Sequence, residues 1–243
     1  NLTQDERTHL RDGFVSGFEL VDGTARLAAM NMILHGMGRT DGPSPIEVKD
    51  SLTADPGRRW SVVLANPPFG TKSSVTMVSP DGRKTRDDLE IVRDDFWVTT
   101  SNKQLNFLQH IKTILDINGR AAVVLPDNVL FEGGAGEAVR RRLLKEFDVH
   151  TMLRLPTGIF YAGGVKANVL FFDKRPAGDK PWTEKLWVYD FRTNQHFTQK
   201  TKSMRREHLD EFVDCYRPGS RGSRVESERF HSFTYDDLIA RAK

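Results

Sequence analysis

"RRWSVVLANPPFGTK", residues 58–72, decides how the rest of the chain reads. From Trp60 to Ala65 it is a nearly continuous apolar run, which suits a strand buried on both faces of a sheet. Two consecutive prolines then stop it. The plain reading of Asn66-Pro67-Pro68-Phe69 is a tight turn, because Asn and Pro are turn formers and the second proline restricts the first to an extended conformation. The same residues also set a hydrogen-bonding amide and an aromatic ring on either side of a rigid spacer. That combination suits chemistry on a flat, nitrogenous group.

Upstream, "GFVSGFEL" predicts a short strand ending near Glu19, and "SPIEVKDSL" a second with Ile46 and Val48 on one face. Between them Leu27, Met30, Leu34 and Met37 recur at helical spacing, with Asp22 or Thr24 as the cap. Downstream, Leu105, Leu108, Ile111 and Leu115 form the stripe of a second helix, stopped by Gly119. "RAAVVLP" predicts a strand, and "GEAVRRRLLKEF" a helix with Val139, Leu143 and Phe147 facing inward. "VHTMLRL" and "KANVLFFDK" predict two further strands. Residues 72–95 are polar and too long for an ordinary connection, so they are expected to form a mobile loop beside the Asn-Pro-Pro-Phe motif.

Strands alternating with helices predict an α/β fold with a doubly wound, mostly parallel sheet. Ligands in such sheets bind at the carboxyl ends of the strands. Glu19, Asp50 and Asn66 all fall at such ends, and are expected to converge on one rim. After Arg175 the pattern changes: Trp187, Tyr189 and Phe191 alternate with Leu186 and Val188, a short helix is expected in "REHLDEFVDCY", and "RPGSRGSR" (217–224) reads as a linker or loop. The expected division is a catalytic domain over 1–175 and a small appendage over 176–243.

Bulk properties narrow the classes. The 243 residues are enough for a sizeable core. A net charge of +3, from 36 basic and 33 acidic residues, with a pI of about 9.0, is compatible with nucleic acid without requiring it. The single cysteine, Cys215, excludes an intrachain disulfide and any zinc site built on several thiolates, which favours a cytoplasmic setting. No apolar run approaches membrane-spanning length. The first residue is Asn, not Met, so an internal fragment is expected.

An aromatic amine such as adenine N6 attacks carbon poorly, because its lone pair is delocalised into the ring. Two acceptors aimed at its hydrogens favour a more tetrahedral nitrogen and stabilise the positive charge as it forms. The Asn66 side-chain oxygen and the Pro67 carbonyl can supply them, and proline carries no competing N–H. Phe69 can stack on the base, an interaction worth about 1–3 kcal/mol. A base reacting in this way must leave the duplex, at a cost of a few kcal/mol. The matching electrophile is the sulfonium methyl of S-adenosylmethionine. Glu19 would accept from its ribose hydroxyls and Asp50 from its adenine amine. Taken singly, Glu19 reads equally as a solvated carboxylate and Asp50 as a turn cap; the three in succession carry the reading. No metal is needed.

"GFELVDGTARLAAMNMILHGM", "VKDSL", "WSVVLANPPFGTK", "NKQLNFLQHI" and "GRAAVVLPDNVLFEGG" closely resemble the modification subunit of type I restriction-modification systems, which are adenine-N6 DNA methyltransferases. "LPTGIFYAGGVKANVLFFDK" and "LWVYDFRTNQHFT" extend the resemblance over roughly Gly17 to Ala240. It implies an S-adenosylmethionine-dependent, Rossmann-like methyltransferase fold with Asn66, Pro67, Pro68 and Phe69 as the catalytic motif. It also implies cofactor contacts at Glu19 and Asp50, with Ser51 and Leu52 of the "VKDSL" block beside them. The implied partners are DNA, a specificity subunit that reads the DNA sequence, and a restriction subunit.

The family's glycine-rich loop before Glu19 is not in this sequence, nor are its C-terminal helices, so weak cofactor binding and no activity are expected of this fragment alone. Gly133, Gly134 and Gly136 match neither phosphate-binding fingerprint, and Arg140 to Arg142 read as a solvated helix face before a DNA patch. Two alternatives remain. Protein-glutamine methyltransferases carry a related motif, generally with Tyr where this chain has Phe69, and a non-catalytic scaffold could hold a specificity protein on DNA.

Overall fold

A computed structural model describes residues 2–70, 74–78, 84–88, 90–160, 164–198 and 200–241. Two units divide the chain, Asn1–Pro56 and Gly57–Lys243.

The first unit opens with helix α1 (Gln4–Asp12). Its start is a capping box: Thr3 Oγ1 accepts from the Glu6 N–H at 3.2 Å, and Glu6 returns a carboxylate to the Thr3 N–H at 2.7 Å. Strand β1 (Gly17–Glu19), helix α2 (Asp22–Leu34) and strand β2 (Ile46–Val48) follow as a strand–helix–strand crossover. β1 and β2 pair in parallel, Glu19 opposite Val48. The apolar stripe expected to face inward on α2 does not: Leu27 is 68% exposed, Met30 60% and Leu34 83%, while Ala25 is buried. The reason is size. Thirteen helical residues span about 20 Å, and two three-residue strands span only about 10 Å beneath them.

The second unit is built on a six-stranded sheet. Its elements are β3 (Trp60–Ala65), a hairpin of β4 (Ser74–Val78) and β5 (Lys84–Asp88), α3 (Lys103–Ile114), β6 (Leu115–Pro126), α4 (Asp127–Phe131), α5 (Ala135–Glu146), β7 (Phe147–Leu155), β8 (Ala167–Lys174), β9 (Lys185–Asp190), α6 (Asp210–Tyr216), β10 (Phe230–Thr234) and α7 (Tyr235–Ala240). The strand order is β10-β9-β7-β8-β6-β3, parallel at β3/β6 and β7/β9 and antiparallel at the other three junctions. β3, β6, β7 and β9 therefore run one way, with β8 and β10 reversed between and beside them. The α/β architecture is as expected, but the sheet is more mixed than mostly parallel. Direct return of the chain from β7 into β8 reverses the latter.

Two details differ from the sequence reading. Among the described residues β3 pairs with β6 alone, and Val62 (51%) and Leu64 (79%) are exposed, not buried on both faces. Within the segment expected to be a loop, residues 74–78 and 84–88 pair as antiparallel strands, Ser74 opposite Asp88. A run of Val75-Thr76-Met77-Val78 ahead of a Pro-Asp-Gly sequence carries that hairpin signal. Residues 71–73, 79–83 and 89 lie outside the described residues.

The core follows the expected stripes. Leu105, Leu108 and Ile111 of α3 and Val139 and Leu143 of α5 are buried against Val123, Leu125, Phe147 and Phe172 of the sheet. β9 separates two clusters: Leu186 and Val188 join this one, while Tyr189 and Phe191, with Trp187 packed beside them, join a second around Phe197, Phe212 and Phe230. Residues beyond 175 thus contribute β9 and β10 to the same sheet. The segment read as a linker or loop is a loop that is tied down. Arg221 bridges Asp148 and Asp173, each at 3.0 Å, and the buried Arg224 donates to the carbonyls of His150 and Tyr216. Burial brings the Arg224 guanidinium pKa down to about 10. Among the described residues no helix is long and apolar enough to cross a membrane.

Candidate active site

Because β3, β6, β7 and β9 share one direction, their carboxyl ends share one edge of the sheet. Asn66 follows β3 there, Asp127 follows β6, residues 156–160 follow β7, and Arg192 follows β9. The apolar strand ends where the prolines begin, so the motif hangs off the last paired residue, Ala65, which lies opposite Val123. Pro67 is buried and anchors the turn, while the Asn66 side chain is exposed and makes no hydrogen bond among the described residues. Its amide oxygen is open to a ligand.

The Phe69 and Phe160 rings make a T-shaped contact, with centroids 5.0 Å apart and planes at 76°. Phe160 has no local signal in the sequence; it reaches the motif only because β7 ends on the same edge. Its segment is set by close packing. Gly158 has φ +87°, and a Cβ there would lie 2.0 Å from the Phe197 carbonyl oxygen, so only glycine fits.

A polar brace underlies this edge. Arg192 donates to both Asp127 oxygens, to the Leu155 carbonyl at 3.0 Å, to the Ala167 carbonyl at 3.0 Å and to Asn168 Oδ1 at 3.2 Å. One guanidinium thus ties together the ends of β6, β7, β8 and β9. Burial pushes the Asp127 carboxyl upward, but hydrogen bonds from Arg192 and Asn168 outweigh it and hold its pKa below the ordinary range.

At the start of α3, Asn102 caps the helix through the N–H groups of Gln104 and Leu105. The Gln104 amide reaches back to the carbonyls of Pro68 and Gly70. The only signal for this in the sequence is a polar residue beside the cap of an otherwise apolar stripe.

Glu19 and Asp50 lie together in the first unit, at the carboxyl end of the parallel pair, where the Lys49 N–H bonds the Glu19 carbonyl at 3.0 Å. Glu19 Oε1 accepts from the Val21 N–H at 2.9 Å and Asp50 Oδ1 from the Leu52 N–H at 2.8 Å. One carboxylate oxygen of each remains without a partner among the described residues. Those acceptor oxygens suit hydroxyl and amine hydrogens of a nucleoside. Ser51 is half-buried, and Leu52 is buried. Asn66 to Phe69 belong to the second unit.

The remaining sequence features have structural roles. Arg140 donates to the carbonyls of Val129 and Glu132, each at 2.8 Å, closing the end of α4. Arg141 and Arg142 pair with Glu137 and Glu146 along α5. Gly134, with φ +56°, begins α5.

The N-6 DNA Methylase family model matches residues 2–240. The chain is 43% identical over 242 residues to the type I restriction enzyme EcoKI methylase subunit of Escherichia coli K12, covering 97% of this chain and 42% of that protein. It is likewise 43% identical to the StySJI methylase subunit of Salmonella typhimurium, again over 42% of its length. The crystal structure of the EcoKI M protein superposes with a TM-score of 0.79 at 37% identity, covering 97% of this chain and 53% of that one. A type I methyltransferase subunit from Streptococcus thermophilus gives 0.71 at 25% identity, over 93% and 46% of the two chains. The chain thus spans less than half the length of the curated relatives it matches. With a family model covering nearly all of its residues, the chain belongs to the N-6 DNA methylase family.

Proposed function

We propose that this chain carries the transfer site of a DNA adenine-N6 methyltransferase, the modification subunit of a type I restriction-modification system. The observation that carries the reading is Asn66-Pro67-Pro68-Phe69 at the carboxyl end of β3, with the Asn66 amide exposed and unengaged among the described residues. Asn66 Oδ1 and the Pro67 carbonyl accept from the two hydrogens of the target amine, holding its lone pair toward the methyl donor. As charge develops on that nitrogen the two acceptors strengthen their bonds, so their effect falls on the transition state. Phe69, held in a T-shaped contact with Phe160, stacks on a base turned out of the duplex.

S-adenosylmethionine, when bound, supplies an electrophilic methyl group on sulfur. Glu19 would hold its ribose hydroxyls and Asp50 its adenine amine, each through the carboxylate oxygen that the turn leaves unpartnered, with Ser51 and Leu52 beside them. The partners are DNA, a specificity subunit and a restriction subunit, as the similarity to type I methylase subunits supports.

The test uses the full-length gene product with its specificity partner, labelled S-adenosylmethionine and mixed-sequence DNA digested to nucleosides. Label in N6-methyladenine is expected. Label in protein alone, or none with cofactor bound, would overturn the reading.

A further inference from the structure

Gln104 sits in the first turn of α3 and is only 2% exposed. Its Nε2 donates to the Gly70 carbonyl at 2.7 Å and to the Pro68 carbonyl at 3.4 Å. One amide group therefore holds the peptide oxygens on both sides of Phe69. A primary amide has two N–H donors, and both are spent on this segment. Its oxygen, Oε1, is buried and has no hydrogen-bond partner among the described residues. Turning the amide over would press that oxygen against the two carbonyls, so the segment itself dictates which way it faces.

A buried acceptor with no donor is a cost to the folded state, and an apolar side chain of similar shape would not carry it. Leu105 and Leu108 already supply the packing of α3. The helix start that carries Gln104 is fixed in turn: Asn102 Oδ1 accepts from the Gln104 N–H at 3.0 Å, and Asn102 Nδ2 donates to Glu132 at 2.5 Å. The amide is thus a rigidly mounted clamp on a four-residue motif.

We propose that Gln104 is a positioning residue for methyl transfer, fixing the backbone around Phe69 and with it the direction of the ring and of the Asn66–Pro67 acceptors. This rests on reading residues 66–69 as the transfer site. A reacting group displaced by about 1 Å loses on the order of 100-fold in rate.

The test compares wild type, Gln104→Met, Gln104→Glu and Asn66→Ala in the full-length methylase with its specificity partner, with turnover expressed per cofactor-binding site. Gln104→Met should lower kcat about 10- to 100-fold, with KM for DNA and cofactor affinity within about twofold of wild type. Gln104→Glu should be slow when ionised, because a carboxylate opposes both carbonyls. It should recover as the pH falls, since the protonated acid again donates to Gly70, and burial raises that acid's pKa toward the assay range. Wild-type kcat per site in Gln104→Met, or a Gln104→Glu rate that does not rise on acidification, overturns the proposal. If Asn66→Ala keeps full transfer, the reading of the site itself falls. If Asn66→Ala abolishes transfer while both Gln104 variants turn over normally, the positioning role alone falls.

Discussion

Arg192 grips Asp127 with both arms of its guanidinium, Nη1 to Oδ2 at 2.8 Å and Nη2 to Oδ1, while three further acceptors from β7 and β8 surround the same group. This pair joins strand ends that are distant in sequence, at the edge where Asn66 and Phe160 stand. Breaking a buried pair from one side strands the other charge. Arg192→Leu is therefore expected to cost about 3 kcal/mol, the low end for such pairs because neither side chain is fully buried. Urea unfolding checks it, and a loss below about 1 kcal/mol, the range of exposed pairs, would refute the brace.

The same pair makes stability depend on acidity. The Asp127 carboxyl titrates below its ordinary value in the folded protein. Its stabilisation is complete above the unfolded carboxyl's pKa of about 3.9 and is lost as the pH falls below that value through the folded pKa. Asp127→Asn should therefore be less stable than wild type at neutral pH, and the gap should narrow below about pH 4. A gap independent of pH down to the acid transition would contradict this sign.

Gly158 and Gly164 separate steric fit from backbone preference. Both have positive φ, +87° and +79°, but an added Cβ collides with the Phe197 carbonyl at Gly158 and, among the described residues, meets nothing within 4 Å at Gly164. Gly164→Ala should cost about 1 kcal/mol of left-handed strain. Gly158→Ala should cost about 2 kcal/mol more from forced displacement, and should also slow transfer by moving the Phe160 segment. Equal melting temperatures for the two variants would remove the close approach from the account.

The three consecutive arginines of α5 should behave unequally. Arg140→Ala removes charged hydrogen bonds to two carbonyls and is expected to cost about 2 kcal/mol. Arg142→Ala breaks only an exposed helix pair and should stay within about 0.5 kcal/mol, while Arg141→Ala loses its pair with Glu137 and a 3.3 Å bond to the Ile239 carbonyl and should cost about 1 kcal/mol. Thermal denaturation of the single variants gives the ranking, and an Arg140→Ala protein as stable as the other two would contradict it.

Much of this was legible in the sequence, for physical reasons that differ by element. The stripes of α3 and α5 read correctly as far as Ile111 and Leu143, because each helix lies on a wide sheet and apolar period and burial coincide, but Leu115 and Phe147 already open β6 and β7, and Gly119 lies within β6 instead of stopping the helix. β9 read correctly on both faces because it runs between two apolar clusters. The stripe of α2 misled, since periodicity reports an apolar face but not whether anything large enough covers it. The α1 capping box was present as Thr3-x-x-Glu6 and went unread. At the candidate site, Asn66 to Phe69 announced themselves as a contiguous motif. Phe160 and the Arg192–Asp127 pair did not, because strand order alone brings them to that edge, and Gln104 showed only as a polar residue beside the cap of α3.

The most direct measurement is single-turnover methyl transfer by the full-length Asn66→Ala protein with its specificity partner, alongside cofactor binding. An acceptor used mainly in the transition state should take kcat with it when removed and leave the cofactor dissociation constant nearly unchanged. Loss of N6-methyladenine formation at undiminished cofactor affinity is the expected result. Transfer at the wild-type rate by Asn66→Ala would contradict the assignment of residues 66–69 as the transfer site.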